Sequence, residues 1–240
     1  TDRHWPSLSA YLMNSKGWDQ DTVLGSIGEA STEIVSLLAD PSKEKFECRG
    51  LVIGHVQSGK TANMTAVIAK AIDAGYNFII VLAGLTNKLR QQTQRRLEAD
   101  VADRHRGLWQ LLTTDDDKGD FTGLANGGFF IPAAPNVQMA AIEKTPHSSL
   151  RRMKVLVIDD EADQASVNSA SKEFDMTKIN ELIRTLLHAI PASSYVGYTA
   201  TPFANVFISP HDTNGNLDDL YPKDFITSLA KPKGYFGTEQ

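Results

Sequence analysis

The chain opens on a polar stretch in which apolar residues return every three or four positions: Val23, Leu24, Ile27, Ile34, Val35, Leu37 and Leu38. That spacing predicts an amphipathic helix running to about Leu38 and ended by Asp40-Pro41-Ser42. The pattern then changes to short continuous apolar runs. Gly50 to Gly54, Asn77 to Ala83, Phe129 to Ile131, Lys154 to Asp159 and Ser194 to Tyr198 read as five strands. Between them Thr61 to Ala74, Asn87 to about Asp103, Asn136 to Lys144 and Phe174 to Ile190 read as helices, the last stopped at Pro191. Residues 113–128, with Asp115-Asp116-Asp117 and several glycines, read as a solvated loop. Strands that are apolar throughout are buried on both faces, and their alternation with helices predicts an α/β fold. Its sheet is mostly parallel, with helices on both faces. Residues 1–48 form a helical N-terminal extension in this reading, and 49–240 the α/β domain.

Composition narrows the setting. At 240 residues the chain suits one large domain, and 41% hydrophobic with 22% charged residues is ordinary for a globular protein. The formal net charge of -5 excludes a positive field over the whole protein and leaves room for a local basic patch. Cys48 is the single cysteine, so no internal disulfide or multi-cysteine metal site can form; it reads as a small buried residue. The histidines, His4 among them, show no metal-ligand spacing, and Trp5 and Trp109 read as packing residues. No apolar run approaches the ~18–20 residues of a membrane helix, and no signal peptide is visible. A cytoplasmic location is expected. The first residue is Thr1 and no closing element is evident at the end, so the chain reads as part of a longer protein.

The first candidate chemistry follows the first strand. Gly54-His55-Val56-Gln57-Ser58-Gly59-Lys60-Thr61 matches the phosphate-loop pattern G-x-x-x-x-G-K-[ST], between a strand and a helix as that motif requires. Glycines let backbone N–H groups face phosphate oxygens, and the helix adds its positive N-terminal end. Lys60 is assigned to the β- and γ-phosphates of ATP, and the Thr61 hydroxyl to Mg²⁺.

The second lies at the end of the fourth apolar run, Val155-Leu156-Val157-Ile158-Asp159-Asp160-Glu161-Ala162-Asp163. Ligands of an open parallel sheet sit at the carboxyl ends of strands, so these acids share an edge with the phosphate loop. Asp160 would hold Mg²⁺, Glu161 would orient or deprotonate the attacking water, and Asp163 would relay nucleotide state. A solvated acidic turn is the bland alternative. A two-metal nuclease built from Asp159, Asp160, Glu161 and Asp163 is another, although no separate further ligands stand out in the chain.

Tyr198-Thr199-Ala200-Thr201-Pro202 follows the fifth strand. In this order the three segments resemble superfamily 2 helicases and translocases. The resemblance implies a RecA-like P-loop NTPase domain with Asp160-Glu161-Ala162-Asp163 as the DEAD-type motif. It makes Thr199 and Thr201 residues that couple hydrolysis to movement, and it implies a second RecA-like domain elsewhere, since too few residues follow Pro202 to build one. A narrower likeness is to the Z-one domain family. It is carried by GHVQSGKT at 54–61, YTATPFANVF at 198–207 and YPKDFITSLAKPKGYFG at 221–237. That family comprises helicase-like bacterial ATPases, often labelled endonucleases and found near DNA-modification and phage-defence genes. The resemblance therefore implies DNA-modification or defence-system proteins as partners, and no nuclease motif is visible here. Pro-Ala-Ala-Pro-Asn at 132–136 departs from the more basic segment expected at that point.

Basic charge concentrates after the second strand, at Lys88, Arg90, Arg95, Arg96, Arg104 and Arg106. By the superfamily 2 resemblance, Thr86, Lys88 and Arg90 would contact a nucleic-acid backbone, DNA first and RNA as the alternative. The competing reading is an ordinary solvated face with Arg96 and Asp100 as an i,i+4 pair. The function expected is thus an ATP-hydrolysing motor domain acting on DNA. The alternatives are a regulatory P-loop ATPase switch without translocation, or an inert nucleotide-binding scaffold.

Overall fold

The computed structural model describes residues 3–54, 59–83, 86–109, 111–116, 150–165, 173–206 and 220–230. The expected strand at 129–131 and helix at 136–144 lie outside the described residues, as do His55, Val56, Gln57 and Ser58 of the phosphate loop.

Five strands form one parallel sheet: β1 (Phe46–Ile53), β2 (Phe78–Ala83), β3 (Val155–Asp160), β4 (Ala192–Thr199) and β5 (Phe225–Ser228), in spatial order β2-β3-β4-β1-β5. The helices are α1 (His4–Asn14), α2 (Gly28–Leu37), α3 (Lys60–Ala74), α4 (Asn87–Asp100), the short α5 (Ala162–Ala165), α6 (Glu173–Ala189) and the short α7 (Phe203–Val206). The expected α/β architecture is present, with its helical N-terminal part.

Side chains alternate across the pleat, so β2, β3 and β4 feed two cores. Leu156 and Ile158 of β3 join Val52, Val196 and Tyr198 under α2 and α3, through Ile34, Met64, Val67 and Ile68. Val155 and Val157 face the other way, with Ile80 and Tyr195, onto Ile183, Leu186 and Leu187 of α6. Both faces of β3 are dry, which is why its sequence is apolar without alternation.

Three local features differ from the sequence reading. The helix expected to run unbroken to Leu38 begins as a π-helical turn over Asp21–Ile27 and becomes α-helical at Gly28. The Gly28 carbonyl accepts from the Ser31 and Thr32 hydroxyls and from Lys70 Nζ, so side chains compete there for a backbone acceptor. β1 starts at Phe46, four residues before the apolar run: Phe46 to Arg49 pair with Ala192 to Tyr195 of β4, Glu47 and Arg49 pair with each other, Lys223 bridges to Glu47, and the Arg49 N–H donates to Asp224. β5 was not anticipated: at four residues it is too short for its pattern to stand out. It docks because β1 carries Gly50, where an added Cβ would lie 2.0 Å from the Phe225 ring.

The N-terminal helices pack on α3, the helix that begins with Lys60. Leu8, Leu12 and Val23 bury against Ala66 and Ala69, with Trp5 alongside. Asp73 near the end of α3 accepts the backbone N–H groups of Arg3, His4 and Trp5 at 2.8–2.9 Å, capping the N-terminus of α1. His4 completes the joint, its Nδ1 lying 3.0 Å from Asp73 and its Nε2 accepting from Trp109 Nε1 at 3.2 Å.

Candidate active site

Because every strand is parallel, their carboxyl ends share one edge. Register places Ile53 beside Thr199, Asp160 beside Tyr198, and Ala83 beside Asp160. The phosphate-loop strand β1 and the acid-bearing strand β3 are separated only by β4, whose end carries the threonines.

Gly59 sits at the N-cap of α3 with φ 76° and ψ 21°, a left-handed conformation that glycine adopts without strain. A Cβ there would meet nothing within 4 Å, so the demand is conformational and not one of space. The next residue, Lys60, turns its side chain inward. Its Nζ lies 3.3 Å from Oε1 of Glu161, a residue 101 positions away in the chain. Thr61, half-buried, occupies the first turn of the same helix.

Glu161 has φ 70°, the one non-glycine with positive φ among the described residues. Such a conformation costs about 1–3 kcal/mol at a non-glycine residue and persists only where its surroundings impose it. Beside it Asp160 is half-buried at the end of β3. Burial, and next to it the like charge of Glu161, push the Asp160 carboxyl above its usual range, while Lys60 and Arg96 pull the other way. Two carboxylates and one ammonium meeting in a partly dry site form a donor set suited to a hydrated divalent cation and a phosphate. Asp159 points to the opposite face, where it is buried and accepts from Tyr195 Oη at 2.7 Å. It is therefore not one of a converging set of metal ligands, which removes the cluster the nuclease alternative needs.

Asp163 accepts from both threonines, from Thr199 Oγ1 at 2.7 Å and from Thr201 Oγ1. The Thr201 N–H in turn donates to Thr199 Oγ1 at 2.9 Å. On its other side the end of β4 is tied to the phosphate loop. The Gly54 N–H donates to the Thr199 carbonyl at 2.9 Å, and Tyr198 Oη donates to Asn63 Oδ1 of α3 at 3.0 Å. The end of β4 thus bonds to both the phosphate-loop side and the acid side. The Tyr198–Asn63 bond was missed in the sequence. The spacing of Asn63 from Lys60 carries no signal by itself.

The basic helix is arranged differently. Thr86 is the N-cap of α4, its hydroxyl accepting from the Leu89 N–H at 3.3 Å. Arg90 donates to the carbonyls of Thr114, at 2.7 Å, and of Asp116. Arg95 pairs with Asp115 at 2.6 Å, and Arg96 lies 3.9 Å from Asp100. Arg104 stacks on Tyr11, 3.3 Å from the ring centroid, and Arg106 pairs with Asp103. Lys88 is exposed. The structure does not bring Thr86, Lys88 and Arg90 together as one phosphate-facing group: the first caps a helix and the third holds a returning loop.

A cavity of about 570 Å³ lies between β2 and α4, lined by Tyr76, Phe78, Leu97, Trp109 and Leu111 among others. Its lining includes none of Lys60, Thr61, Asp160 and Glu161, so this cavity and the charged edge are separate places. No described helix is long and apolar enough to cross a membrane.

Fold and site together define an α/β domain with a parallel five-stranded sheet and a phosphate-loop sequence motif between its first strand and α3. No family model matches the chain, and no curated protein matches it. Among solved structures it is similar to a chain of the HORMA:CdnC:Trip13 complex of E. coli MS115-1, with 13% identity over 94% of this chain and a TM-score of 0.39. It is also similar to the Hef helicase domain of Pyrococcus furiosus, with 17% identity over 87% of this chain and a TM-score of 0.38. The chain spans 60% and 39% of the lengths of those two chains.

Proposed function

We propose that this chain is the ATP-binding and hydrolysing domain of a helicase- or translocase-like protein. The observation that carries the reading is the meeting of Lys60 and Glu161 across 101 residues at the shared strand edge. Lys60 and Thr61 hold the phosphates and their metal, Asp160 holds the metal through water, and Glu161 orients the attacking water. Mg²⁺ would supply charge neutralisation at the transferring phosphoryl group. Asp163, Thr199 and Thr201 link that site to the rest of the protein. The Lys60–Glu161 pair has to part when phosphates take the ammonium, which leaves Glu161 free for water.

The same reading extends to DNA as the track, and to bacterial restriction or phage defence. Its ground is the sequence resemblance of residues 54–61, 198–207 and 221–237 to the Z-one domain family, which no family model bears out. A second reading, a regulatory ATPase that does not move along nucleic acid, is favoured by one observation: Arg90, Arg95 and Arg96 of α4 already have partners within the chain.

The test is Mg²⁺-dependent ATP binding and turnover by the chain and by Lys60→Ala, with and without duplex DNA, single-stranded DNA and RNA. We expect tight binding and slow turnover, both lost in Lys60→Ala. Binding that Lys60→Ala leaves unchanged would refute the nucleotide site. Turnover indifferent to all three nucleic acids would favour the regulatory ATPase.

A further inference from the structure

Glu161 stands in a left-handed conformation that a glutamate does not choose, so something must hold it. The holding groups surround the next residue. Ala162 is fully buried, and its methyl lies where a Cβ on Gly197 would approach to 2.9 Å. Its carbonyl accepts from Asn205 Nδ2 at 3.2 Å, and this contact is buried. Asn205 is only 4% exposed. It is tied to the threonine segment by its own N–H, which donates to the Pro202 carbonyl at 3.0 Å.

We infer that Asn205 is a positioning residue for Glu161: its side-chain amide clamps the Ala162 carbonyl, which fixes the 162–163 peptide and with it the buried residue that follows Glu161 and holds it in its left-handed conformation. The inference rests on the ATPase reading for its catalytic consequence, and on geometry alone for the clamp. Asp163 is held from one side by Thr199 and Thr201, and Ala162 from the other by Asn205. Residues 160–163 are thereby fixed by two different parts of the 199–205 segment. Motion of that segment would reach Glu161 by a route that bypasses Asp163.

Two variants test this in the full chain. Asn205→Ala removes the amide, and Asn205→Leu keeps about the same volume while losing the donor and burying no charge, which guards against a variant that fails only because of a cavity. Each is made alone and with Glu161→Gly, which removes the backbone strain because glycine adopts that conformation freely. The first readout is the thermal unfolding midpoint without nucleotide. The shift caused by Asn205→Ala or Asn205→Leu is expected to be clearly smaller in the Glu161→Gly background. Equal shifts in the two backgrounds would show a merely structural asparagine and overturn the clamp, whether or not the protein hydrolyses ATP. The second readout is ATP turnover with Glu161 intact. A misaimed base is expected to lower kcat by roughly 10- to 100-fold with KM for ATP unchanged. A raised KM with unchanged kcat would overturn the catalytic consequence. A wild-type chain that neither binds nor hydrolyses ATP would instead remove the ATPase reading, and the midpoint comparison would still decide the clamp.

Discussion

The strand edge and helix α4 both concentrate charge, and they handle it in opposite ways. At the edge, Lys60, Asp160, Glu161 and Asp163 come from segments about a hundred residues apart and meet across three adjacent strands. Their contacts are few and exchangeable: one ammonium against one carboxylate, with a second carboxylate whose pKa is pushed up by burial. On and just after α4 the arginines are taken up by neighbours, Arg90 by the carbonyls of 114 and 116, Arg95 by Asp115, Arg96 by Asp100 and Arg104 by the Tyr11 ring, while Lys88 is exposed. Charge held by the fold against its own electrostatic preference marks a site poised for a ligand. Charge neutralised nearby marks structure.

The contrast can be broken most directly at Lys60. Lys60→Ala is expected to weaken MgATP binding by about 100-fold or more, near 3 kcal/mol, in a calorimetric titration. An equal loss from Arg95→Ala would erase the distinction between the two regions.

Thr199→Val comes next. Thr199 is fully buried, and its hydroxyl both donates to Asp163 and accepts from the Thr201 N–H. The substitution is expected to cost about 1–3 kcal/mol in urea unfolding and to lower turnover. Thr201→Val, at an exposed position, should cost less.

Acidity sharpens the picture at Asp160. Its carboxyl titrates above the ordinary value of 3.8. Between that value and the raised one, the folded protein keeps a proton that the unfolded chain has lost. This contribution to stability therefore falls as pH rises through the window. Asp160→Asn is expected to raise the midpoint at neutral pH without Mg²⁺ and to abolish this pH dependence. Mg²⁺ affinity of the wild type should weaken as pH drops through the same window. A neutral-pH midpoint lowered by Asp160→Asn would contradict the assignment.

The smallest effect belongs to Arg95→Ala. Its pair with Asp115 is exposed on both sides and should be worth less than about 1 kcal/mol in a melt, and less still in high salt. A salt-sensitive loss of DNA binding on the same substitution would make α4 a nucleic-acid surface after all.

What the sequence revealed divides along physical lines. β3 was legible because both its faces are buried, leaving Val155 to Ile158 apolar without interruption. The phosphate-loop strand and helix were legible because Gly59 and Lys60 mark the turn between them. The strain at Glu161 was not, since nothing in a glutamate announces a left-handed backbone; the groups packed on its neighbour Ala162, namely Gly197 and Asn205, come from another segment. Nor were the partners of Arg90 and Arg95 legible, because they depend on residues 111–116 folding back along α4. β5 escaped notice because four residues carry too little pattern, although Gly50 leaves the space that Phe225 fills.

The central claim is that Lys60 and Glu161 face one another across a nucleotide site. Calorimetric titration of MgATP into the wild-type chain, Lys60→Ala and Glu161→Gln tests it most directly. The account predicts binding to the wild type, loss in Lys60→Ala, and binding at least as tight in Glu161→Gln, where the ammonium is released from its carboxylate partner. No binding to the wild type, or equal binding to Lys60→Ala, would contradict it.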